Sequence, residues 1–121
     1  MPTIRILLDN NVPTGLTALL SPHDVVHASR VGWATLSNGD LIAAAEANGY
    51  SVMITGDRNI RYQQNLRDRI CSLIELTTTH WPTIRDNRAQ ILSAIETIKR
   101  GSYATISLPR PPLRRRPHPS S

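Results

Sequence analysis

The 121-residue chain contains no phenylalanine, a single cysteine and no long apolar run. Without Phe the core must be filled by Leu, Ile, Val and Ala, which favours a layered α/β interior over an aromatic-rich β-sandwich. A lone thiol, Cys71, excludes an intramolecular disulfide and argues against a cysteine zinc site. No stretch approaches the roughly 20 apolar residues that span a bilayer. The N-terminal "MPTIRILLDNN" has Arg5 inside its apolar run and no small-residue cleavage site. Neither a membrane partner nor a signal peptide is therefore expected, and a cytoplasmic protein is the default.

Acidic residues are also scarce, nine against 14 bases, for a formal charge of +5. The imbalance is local. The segment "PRPPLRRRPHPSS" (109–121) carries Arg110, Arg114, Arg115 and Arg116, five prolines and no acid. Without those four arginines, ten bases face nine acids, so residues 1–108 are nearly neutral. Length and charge thus predict one α/β domain over 1–108 and a basic, Pro/Arg-rich, disordered tail over 109–121. The tail reads either as an arm for RNA or a partner, or as solvated chain.

What is present is an alternation of strand and helix patterns. Residues 3–8 read as a buried strand, followed by a helix opened by Pro13, with Asn11 as its N-cap and Leu16, Leu19 and Leu20 on its apolar face. "DVVHAS" (24–29) is a second strand. "LSNGDLIAAAEANGY" opens with a capping signature, Ser37 with Asp40 three residues on, and stops at Gly49. "YSVMITGD" (50–57) is a third strand, "RNIRYQQNLRDR" (58–69) a short polar helix, and "CSLIELTT" (71–78) a fourth strand. A single long helix is predicted from Pro82 to Gly101 on the spacing of Ile84, Ile91, Leu92, Ile95 and Ile98, with "YATISL" (103–108) as an edge strand. Continuous apolar strands alternating with helices predict a mainly parallel sheet of four or five strands between helical layers.

In such sheets the functional crevice lies beyond the carboxyl ends of the strands. Asp9 follows the first strand, Asp57 follows "VMIT", and Asp40 lies in the first turn of the intervening helix, so all three belong on one edge. Neighbouring first and third strands would let them converge. Converging carboxylates must take up protons or bind a cation, and hard oxygen ligands select Mg²⁺ or Mn²⁺. Such an ion activates water and neutralises a scissile phosphate, which points to phosphodiester hydrolysis. Each acid also has a plain alternative: Asp40 completes a capping box, Asp57 starts a turn, and Asp9 caps the first helix.

The stretches "ILLDNNVPTGL" and "HDVVHASRVGWATLSNGDLIAAAEANGYSVMITGDRNI" resemble the compact PIN-like nucleases found as toxins of bacterial toxin–antitoxin operons. The shared pattern is a strand ending in Leu-Asp, an amide pair before Pro, a His-Asp-Val-Val strand, an Asp-initiated helix and a strand ending in Thr-x-Asp. It covers residues 4–60. The resemblance implies a PIN-like three-layer α/β/α fold and a Mg²⁺- or Mn²⁺-dependent endoribonuclease. It further implies catalytic, metal-binding acids at Asp9, Asp40 and Asp57, an RNA substrate and a cognate antitoxin protein. Asn59 stands where the family often carries a further acid. An amide adds no charge there, so a weakened protein-interaction or RNA-binding module is the alternative reading.

Around these acids, Asn10, Asn59, Arg58 and Arg61 are candidate substrate contacts, the arginines by bidentate phosphate binding. Thr55 either orients Asp57 or packs. Trp81 and Trp33 either stack on bases or support local packing. His23, His27, His80 and His118 show no metal-ligand spacing. A receiver domain would need an adjacent acid pair, and a small phosphatase an Asp-x-Asp motif that Asn11 interrupts. A homodimer through the C-terminal helix or edge strand is a further expectation.

Overall fold

The computed structural model describes residues 3–58 and 70–109. The elements are β1 (Arg5–Leu8), α1 (Leu16–Leu19), β2 (Asp24–His27), α2 (Asn38–Ala47), β3 (Val52–Thr55), β4 (Ser72–Leu76), α3 (Trp81–Asp86), α4 (Arg88–Thr97) and β5 (Tyr103–Ile106). A 3-10 turn, Ala28–Val31, follows β2. The polar helix expected over 58–69 lies outside the described residues except for Arg58. So do Asn59, Arg61 and the tail from 110 onward.

The five strands form one sheet in the order β2-β1-β3-β4-β5, with every pairing parallel. Both faces are covered, which is why the strands read as continuous apolar runs. On one face Ile6, Leu8, Ile54 and Ile74 meet Leu16 of α1, Ile84 of α3 and Ile91 and Ile95 of α4. On the other, Leu7, Met53 and Leu73 meet Leu41, Ile42 and Ala45 of α2. Burying a Leu or Ile side chain in this way contributes about 1.5–3 kcal/mol before entropy is charged against it. No helix among the described residues is long and apolar enough to cross a membrane.

Two local features differ from the sequence reading. The single long helix expected after Pro82 is two helices, because Asn87 adopts φ −115° and ψ 28° between them. Its side chain donates to the Thr83 carbonyl at 2.7 Å, closing α3, while Ile84, Ile91 and Ile95 still share one buried face. Asn11 does not cap α1, whose first residue is Leu16 with no side-chain cap at Gly15. Its amide is used elsewhere, as described below. Trp81 packs its six-membered ring over Gly15, so closely that a Cβ there would fall 2.6 Å from the ring. This is the packing role for that tryptophan. The capping signature at α2 holds: Ser37 accepts from the Asp40 amide at 3.4 Å, and Gly49 leaves the helix at φ +80°.

Candidate functional site

The order in which strands are added changes side between β1 and β3: the connection from β1 leads to β2 on one side, and those from β3 lead to β4 and β5 on the other. Where the connections leave two neighbouring parallel strands in opposite directions, a crevice forms beyond their carboxyl ends, the usual ligand position in open parallel sheets. Asp9 stands at the end of β1 and Asp57 just past the end of β3, on this edge.

The two are joined by Thr55, which is fully buried. Its hydroxyl donates to Asp9 Oδ2 at 2.7 Å and accepts from the Asp57 amide at 3.0 Å. A threonine β-branch suits the strand, and the hydroxyl is placed by the pleat rather than by a turn. Asp9 Oδ1 accepts from the Asn10 amide at 2.6 Å, and the Asp9 amide continues the ladder to Ile54 O at 2.9 Å. Asp9 is only 6% exposed, and among the described residues it makes no ion pair. A carboxyl group withdrawn from water without a countercharge is stabilised in its charged form by a bound cation.

The turn that follows Asp9 is tied on several sides. Val12 N donates back to Asp9 O at 3.2 Å. The Asn10 side chain donates to Trp33 O at 3.3 Å, and Asn11 Oδ1 accepts from the Gly56 amide at 3.0 Å. Gly56 leaves no room for a side chain, because a Cβ would come within 2.5 Å of Thr79 Cγ2 from the loop after β4. The ends of β1, β3 and β4 are thereby packed into one edge. Asn38, the first residue of α2, donates to Asp57 Oδ2 at 2.6 Å and brings that helix to the same place.

Asp40 is placed differently. It is exposed on the first turn of α2, two residues beyond Asn38. Among the described residues no group of three or more His, Cys, Asp or Glu side chains is close enough to hold a metal ion. The Thr55 hydroxyl thus links the Asp9 carboxylate to the backbone amide of Asp57, and Asp40 is not gathered with them into a three-carboxylate cluster among the described residues. Arg58 is exposed beside Asp57. Trp33 sets its ring edge-on to Tyr50, with centroids 6.1 Å apart, in the core under α2. Each described histidine is hydrogen-bonded through Nδ1: His23 to Ile4 N, His27 to Ser29 and His80 to Thr83.

Two contributors escape the sequence reading. Asn38 has no distinguishing signal, since it sits inside an ordinary capping box. Glu75 does have one. It is a lone acid within an apolar strand, pairs in register with Thr55, is 7% exposed, and accepts a hydrogen bond from the Tyr103 hydroxyl.

A cavity of about 560 Å³ opens at the opposite edge, lined by Ile4, Tyr50, Ser51, Ser72, Glu96 and Arg100 among others. It contains none of the candidate residues and faces the amino ends of the strands. Comparison with protein-family models, with curated proteins and with solved structures found no match.

The donor set of the site is made of hard oxygens: two carboxylates, a threonine hydroxyl and amide groups. Mg²⁺ and Mn²⁺ take such ligands, and one or two carboxylates suffice because water and substrate phosphate fill the remaining positions. Asp9 and Asp57 supply carboxylates of this chemical type at one sheet edge.

Proposed function

We propose that the chain is a PIN-like ribonuclease of the toxin type, hydrolysing RNA phosphodiester bonds at the β1/β3 crevice with Mg²⁺ or Mn²⁺. The observation that carries this reading is the buried Asp9 carboxylate, held by Thr55 beside Asp57 with no described countercharge. Asp9 and Asp57 are the residues that would hold a divalent ion, which when bound would neutralise charge at the scissile phosphate and lower the pKa of a bound water. Thr55 fixes the direction of the Asp9 carboxylate and, through the Asp57 amide, the start of the following turn. Asn38 orients Asp57 from α2. Arg58, exposed at the same edge, meets the substrate backbone as a two-pronged phosphate donor. Asp40, in the first turn of α2, adds negative charge at the mouth rather than a ligand within the pair. A cognate antitoxin protein would inhibit by covering this edge.

The second reading is a cation-poor module that binds RNA or protein without turnover. It is favoured by the exposed Asp40, which leaves two acids where the motif supplies three. One experiment separates the two. Purified wild type and Asp9→Asn are incubated with single-stranded RNA under Mn²⁺ or EDTA. Cleavage that needs Mn²⁺ and falls by at least about 100-fold in Asp9→Asn supports the nuclease. Equal cleavage by both proteins rejects it, and binding without cleavage selects the module.

A further inference from the structure

The site as described leaves unexplained a buried histidine, His27, the last residue of β2 and 3% exposed. Its Nδ1 accepts from the Ser29 amide at 3.2 Å and lies 2.7 Å from the Ser29 hydroxyl. Its Nε2 lies 3.0 Å from the Val12 carbonyl. A backbone amide can only donate and a carbonyl can only accept, so both partners require the same neutral tautomer, with the proton on Nε2. Val12 closes the turn that begins at Asp9. The imidazole therefore ties the end of β2 to the far end of the Asp9 turn, in a place where water does not compete.

We infer that His27 is a positioning residue: its Nε2–H, through Val12, holds the backbone turn from which the Asp9 carboxylate, aimed by Thr55, projects. Thr55 holds the Asp9 carboxylate itself, in a buried bond. Beyond Asp9, the side-chain ties of Asn10 and Asn11 come from half-buried and exposed residues, so water competes with them, whereas the His27 bond to Val12 is buried. The alternative is that the ring merely caps the 3-10 turn through Ser29.

Two near-isosteric substitutions separate these roles. Gln places an amide nitrogen near the position of Nε2 and keeps a donor for Val12, but has no acceptor at Nδ1. Asn places an oxygen near Nδ1 and keeps the Ser29 cap, but has no donor for Val12. For a positioning residue, His27→Asn raises amide hydrogen exchange at Val12 by about tenfold or more, and His27→Gln stays within about threefold of wild type. In wild type, long-range ¹⁵N–¹H spectra show His27 as the Nε2–H tautomer, a readout that needs no variant to fold. The inference is overturned if the ring is the Nδ1–H tautomer. Wild-type Val12 protection in His27→Asn, with loss confined to His27→Gln, overturns it equally.

A final arm rests on the proposed cation site: Mn²⁺ affinity falls about 10-fold in His27→Asn and is retained in His27→Gln. Affinity unchanged in His27→Asn contradicts the positioning role. If wild type itself binds no Mn²⁺, the function proposed above falls, while exchange and tautomer still decide the role of His27.

Discussion

Replacing Thr55 with Val removes one oxygen from a fully buried side chain and nearly preserves its shape. Two hydrogen bonds go with that oxygen, one donated to the Asp9 carboxylate and one accepted from the Asp57 amide. A hydrogen bond to a charged group contributes about 1.5–3 kcal/mol, and its loss also leaves a buried carboxylate oxygen less well satisfied. Asp57 is only half-buried, so water can partly replace the second bond, at a cost of about 0.5–1 kcal/mol. The expected destabilisation is about 3 kcal/mol. With a urea slope of about 1.5 kcal/mol per molar, the unfolding midpoint should fall by about 2 M. Thr55→Ser keeps the hydroxyl and loses only a methyl group, about 1 kcal/mol. Equilibrium urea unfolding of both variants, and of each combined with Asp9→Ala, forms the assay. In the double-mutant cycle Thr55→Val and Asp9→Ala should couple by about 1.5 kcal/mol or more. Additive effects would refute the reasoning, as would Thr55→Ser being as damaging as Thr55→Val.

Ion binding at the crevice should appear as stability. Mn²⁺ at 100 times its dissociation constant should stabilise wild type by about 2.7 kcal/mol and leave Asp9→Asn unchanged; an equal rise in melting temperature in both places the ion elsewhere. Gly15→Ala should cost about 1–3 kcal/mol in urea, because its Cβ would meet the Trp81 ring at 2.6 Å. The same change should cost less than about 0.5 kcal/mol in a Trp81→Leu background, and an unchanged cost there would deny the contact. Gly49→Ala should cost about 1–2 kcal/mol for its φ of +80°, measured the same way, and a neutral result would show that the helix can end otherwise.

Several features were legible in the chain alone because they depend on neighbours a few residues apart. The five strands, the Ser37 cap, the Gly49 stop and two acids at strand ends are of this kind. Periodicity also brought the residues of α3 and α4 to one face, yet missed the break at Asn87, where a side-chain bond to Thr83 competes with helix continuation. Asn11 was misread for a related reason. An amide before Pro-Thr-Gly has a ready local use as a cap, and nothing local announces that the Gly56 amide, 45 residues on, will claim it.

By itself the sequence determined the class of structure and the carboxylate chemistry available at the strand ends, since backbone preference and burial pattern are local. Only the tertiary structure decided that β1 and β3 are neighbours, that Thr55 joins Asp9 to Asp57, and that His27 reaches Val12. It also decided that Asp40 faces solvent while the lone acid of β4, Glu75, is buried. Strand order and sheet register bring together groups 15 to 46 residues apart, and no spacing along the chain encodes which hydroxyl will meet which carboxylate.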